Sequence, residues 1–175
     1  MQLPTVITEC LEYRESTEEE RAAFARRVRD VLEFAESLAG GGRRKEFPNF
    51  FRFVEDLELD VSHLQEFMLP WGGALSRWLV HNCWTFDTTP AEMRATLSSQ
   101  MADLINASEP SIDAGVESTE RWLSDLGKGL LSAVNAFANA TDFSVAMAHW
   151  VAVDILLGRI LSACYRLRLN ALVPR

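Results

Sequence analysis

Apolar residues recur along this chain at helical spacings, with polar residues filling the positions between them. The clearest stretch runs from Ser16 to Gly42. Phe24, Val28, Val31, Ala35 and Leu38 are spaced 4, 3, 4 and 3 residues apart, which sets them along one stripe of an α-helix. Ser16 precedes Glu19 by three residues, the capping-box spacing. Glu18, Glu19 and Glu20 place negative charge in the first turn, where the helix dipole favours it. Gly40-Gly41-Gly42 supplies the stop. Ahead of this helix, Val6, Ile7, Leu11 and Tyr13 mark one face of a short one between Leu3 and Tyr13.

The pattern continues downstream. Pro48 suits the first turn of a helix carrying Phe47, Phe50, Phe51 and Val54 on one side, with Phe53 departing toward a second covered face. Asp60 or Ser62 is positioned to cap a further short helix with Val61, Leu64, Phe67 and Met68 inward. Leu57 to Val61 is the only segment with even a weak strand-like alternation. Next comes an aromatic run in which Trp71, Trp78 and Trp84 fall within 14 residues, with Gly72-Gly73 near its start. Thr89, Pro90 and Glu92 then give a capped start for a helix striped by Met93, Leu97, Met101, Leu104 and Ile105. Another helix is predicted from near Ser111 to Ala138, with Leu123, Leu126, Leu130, Val134 and Phe137 inward. Gly127 and Gly129 lie inside it, where a glycine bends a helix or admits a neighbour.

The last pattern is different in kind. After a break at Asn139–Asp142, with Thr141 or Asp142 as cap, the chain from Phe143 to about Leu169 is apolar almost all round. A helix without a polar face is covered by protein or by lipid. His149, Asp154 and Arg159 interrupt this one, and charge is poorly tolerated in a bilayer. The expectation is a core helix rather than a membrane span. Together these patterns predict an all-α fold: a compact bundle of about seven helices around a central, largely apolar C-terminal helix. A single domain over residues 1–171 accounts for the length. Residues 172–175 read Leu-Val-Pro-Arg, which resembles the remnant of a protease-cleavable tag and is set apart from the fold.

Composition narrows the function classes. The chain has 25 acidic and 17 basic residues, a net charge of -8. Nucleic-acid affinity rests on Lys and Arg neutralising phosphates, so an acidic chain argues against that partner. The basic residues beyond Asp154, namely Arg159, Arg166, Arg168 and Arg175, suit the C-terminal half of a helix through its dipole. Arg43-Arg44-Lys45 reads as a solvated loop. Cys10, Cys83 and Cys164 are odd in number and widely spaced, which is neither a disulfide framework nor a zinc set. The N-terminus has no basic start followed by an apolar core, so no signal peptide is expected and a cytoplasmic location is.

Candidate chemistry is sparse. His149, Asp154 and Arg159 lie five residues apart, which turns each about 140° past the last, so they share no face of one straight helix. They read as a buried polar network, with Arg121, Arg94, Arg77 or Ser162 as candidate partners for the Asp154 carboxylate. The three histidines, His63, His81 and His149, lack the spacing of paired metal ligands. No metal site and no cofactor is expected. Serine-hydrolase, phosphate-loop and dinucleotide signatures are missing from the sequence. The string Trp71-Gly72-Gly73-Ala74-Leu75 faintly resembles a motif of small viral apoptosis regulators of helical fold. Gly73 stands where that motif has Arg and Pro70 where it has Asn, so no residue role is carried over.

The functional expectation is a noncatalytic interaction or regulatory module, binding a partner helix or peptide in an apolar groove lined by Trp71, Trp78 and Trp84. Self-association as a homodimer is compatible with it. The alternative is a small-molecule sensor or enzyme with an internal pocket near His149 and Asp154.

Overall fold

A computed structural model describes residues 2–13, 15–40, 50–68 and 115–172 of the 175. Among the described residues the chain is all-helical. Five helices occur there and no strand: α1 (Thr5–Tyr13), α2 (Glu18–Ala39), α3 (Phe50–Met68), α4 (Gly115–Ala138) and α5 (Phe143–Leu172). The tryptophan segment at 71–84 and the helix anticipated after Thr89 lie outside the described residues.

The junction between α1 and α2 is built from local hydrogen bonds. The Ser16 amide donates to Leu11 O at 3.0 Å and the Glu15 amide to Glu12 O at 2.9 Å. Glu15 sits in the left-handed region, with φ 59°. This is the Schellman pattern of a helix C-terminus, with a glutamate at the position glycine usually takes. The Ser16 hydroxyl also donates to Leu11 O, at 2.6 Å. Ser16 therefore closes α1 instead of opening α2, and the cap anticipated there shifts by one residue. Thr17 is the cap: its Oγ1 accepts from the Glu20 amide at 3.1 Å, and Glu20 Oε2 accepts from the Thr17 amide at 2.7 Å. Arg21 ties the two helices further, donating to Ser16 O at 2.6 Å. At the other end, the Gly40 amide donates to Glu36 O at 3.1 Å.

Along α2 the predicted stripe is the buried one: Phe24, Val28, Val31, Ala35 and Leu38 all lie in the core, joined by Phe34. The α3 helix departs from the sequence reading. It runs unbroken through Asp60 and Ser62, so neither residue caps a separate helix. Val54, Leu57 and Val61 form one buried stripe, and no Gly or Pro interrupts it. Asp60 instead pairs with Arg27, which also reaches Asp30 at 3.2 Å and so links α2 to α3. The side chains of that pair are 41% and 34% exposed, and solvent limits such a link to about 1 kcal/mol. Leu57–Val61, the weak strand candidate, is helical. A strand would turn Leu57, Leu59 and Val61 to one face, whereas Leu59 is 51% exposed and its two neighbours are buried.

The α4–α5 connection is short. Asn139 donates to Asn135 O from both its amide, at 3.1 Å, and its side-chain nitrogen, at 2.8 Å. Asp142 Oδ1 accepts from the Val145 amide at 3.2 Å, which makes Asp142 the cap of α5. Among the described helices the two joined here form the most extensive contact; α2 packs on α4, while α3 and α1 pack on α5. Within α4, Leu123, Leu126, Leu130, Val134 and Phe137 are buried as predicted. Gly127 is where α2 crosses: a Cβ there would lie 2.8 Å from Ala39 N and 2.9 Å from the Leu38 carbonyl carbon. That glycine admits a neighbour, and the close approach of two backbones is its reason for being there.

α5 has almost no solvent face in its central turns. Every residue from Trp150 to Leu157 is buried. The window Val145–Ala163 is apolar and long enough to cross a membrane, and 67% of it is buried inside the protein.

Candidate functional site

The polar residues of α5 are placed by the helix itself. His149 is half-buried, and its Nδ1 lies 2.8 Å from Val145 O, one turn back. A carbonyl only accepts, so Nδ1 carries the proton of this bond. In the neutral ring Nε2 then keeps the lone pair. The imidazole thus turns its Nδ1 to its own backbone and not to Asp154. Asp154 is buried at 8% exposure within the enclosed turns. Arg159 is half-buried, and both it and Asp154 are partnered, as is Ser162. Of the partners anticipated for Asp154, Arg121 is on the solvent side of α4, where it pairs with Glu117 at 3.3 Å. Arg77 and Arg94 lie outside the described residues.

Next to His149 the chain builds its aromatic centre. Trp150 is fully buried and stacks on Phe24 of α2, with ring centroids 5.5 Å apart and planes 30° apart. Phe137 of α4 closes the group at 4.7 Å from Trp150 and 6.4 Å from Phe24. Three helices therefore meet at one aromatic contact, and each such pair contributes about 0.5–1.5 kcal/mol beyond the area it buries. The indole N–H of Trp150 is buried with no acceptor among the described residues, and so is that of Trp122 on α4. An unpaired buried donor costs about 1–3 kcal/mol, which the surrounding apolar contacts must exceed.

Compared with known protein families, curated proteins and solved structures, the chain matches none.

Among the described residues no three His, Cys, Asp or Glu side chains group together. Cys10 is half-buried on α1. His63 lies on α3, while His81 and Cys83 fall outside the described residues. Trp71, Trp78 and Trp84, the groove residues suggested by the sequence, also fall outside them. The Phe24–Phe137–Trp150 group was not singled out from sequence. Its signal was present, because Phe24 and Phe137 stand on the inward stripes of their helices. Trp150, however, lies in a run so uniformly apolar that no position in it stands out.

Proposed function

We propose that this protein is a noncatalytic interaction or regulatory module that binds a partner helix or peptide through an apolar, aromatic-lined groove built with Trp71, Trp78 and Trp84. The observation that carries this reading is how the described helices use their apolar residues. Their stripes turn inward, and the large hydrophobic side chains exposed among the described residues are Tyr13 and Leu59. The exterior of α2 and α4 is instead laced with ion pairs, Arg29–Glu33, Arg121–Glu117 and Lys128–Asp125. A docking surface made of apolar anchors is thus best sought in the tryptophan-rich segment, since Trp is favoured at interface hot spots. In this reading the whole chain is a cytoplasmic bundle of about seven helices, with α5 as its core and not a membrane span. Its partner is a protein, a second copy of the chain included, and not a nucleic acid.

The test is affinity capture by the intact chain and by Trp71→Ala and Trp78→Ala variants with unchanged helical circular dichroism. A captured partner is then measured by isothermal titration. Loss of a hot-spot anchor costs at least about 2 kcal/mol, a weakening of roughly thirtyfold. A tight partner whose affinity neither substitution alters rules out this groove.

A second reading, a small-molecule sensor or enzyme with a pocket near His149 and Asp154, is favoured by the buried Asp154 and the unpaired indole N–H of Trp150. Native mass spectrometry separates the two. A small molecule copurifying with the chain, and lost in a Trp150→Phe variant, supports the pocket; a bound protein subunit supports the groove.

A further inference from the structure

We draw no further inference here: the strongest candidate, the fully buried indole N–H of Trp150 in the aromatic cluster with Phe24 and Phe137 between α2, α4 and α5, carries nothing because nothing in the structure shows what would accept its hydrogen bond.

Discussion

Helices α2 and α5 achieve the same regular backbone by opposite means. α2 is specified locally: a reciprocal capping box at Thr17, acidic residues in the first turn, one apolar stripe, charged residues elsewhere and Gly40 at the end. The cap, the first-turn charges and the glycine stop are short-range features, each worth a fraction of a kcal/mol to about 1.5 kcal/mol, and the stripe writes the buried side into the sequence itself. α5 has a local cap at Asp142 but no stripe, because its central turns are apolar on every side. Its stability comes from what encloses it, chiefly α4 and α3, with Phe24 of α2 reaching across to Trp150. The comparison teaches that substitutions in α5 should act through lost packing, and substitutions at the ends of α2 through lost hydrogen bonds.

The sharpest way to break the comparison is at Trp150. Trp150→Ala removes the residue shared by two aromatic contacts and should cost about 3–5 kcal/mol, read as a lowered urea midpoint at unchanged slope. A cost below about 0.5 kcal/mol, the scale of a surface change, would mean that α5 is not the packed centre.

Gly127→Ala probes the contact between the two regimes. By helix propensity alone it should stabilise α4 by about 1 kcal/mol. The new methyl group, however, meets the backbone of Leu38 and Ala39 at 2.8–2.9 Å. Backbone cannot swing aside as a side chain does, and overpacking costs about 1–3 kcal/mol. The net effect is destabilisation of about 1 kcal/mol, measured by thermal or chemical denaturation. A stabilised variant would show that α2 does not lie this close to α4.

The most local effect belongs to the caps. Thr17→Ala should cost about 1 kcal/mol and selectively fray the first turn of α2. Ser16→Ala removes the hydroxyl bond to Leu11 O and the one the hydroxyl accepts from Arg21, neither of which is part of the Thr17–Glu20 cap, and should leave that turn intact. Amide exchange at Glu19 and Glu20 distinguishes the two variants. Equal fraying in both, or fraying only with Ser16→Ala, would return the cap to Ser16.

Much of this architecture was legible in the sequence, and the misses have physical causes. The stripes of α2 and α4 were readable because an amphipathic helix writes its burial into a period. The cap of α2 was misplaced by one residue because Glu-Ser-Thr-Glu-Glu-Glu offers a Ser and a Thr, each with Glu three positions on. Only the closing turn of α1, which takes Ser16, decides between them. The sequence suggests a break at Asp60 or Ser62 because an Asp or Ser near an apolar run looks like a cap, yet α3 is continuous there. The ion pair with Arg27, on another helix, is what occupies that carboxylate. Of the candidate site, the burial of Asp154 agrees with the apolar run around it, whereas the half-buried His149 and its hydrogen bond to Val145 O depend on a ring orientation that spacing does not encode.

Native-state hydrogen exchange with increasing denaturant tests the central claim, that α5 is held by enclosure, most directly. The amides from Trp150 to Leu157 should exchange only through global unfolding, with the full unfolding free energy and its full denaturant dependence, while the first turn of α2 opens at lower cost. Exchange of the Trp150–Leu157 amides through a partial opening cheaper than that of the α2 interior would contradict it.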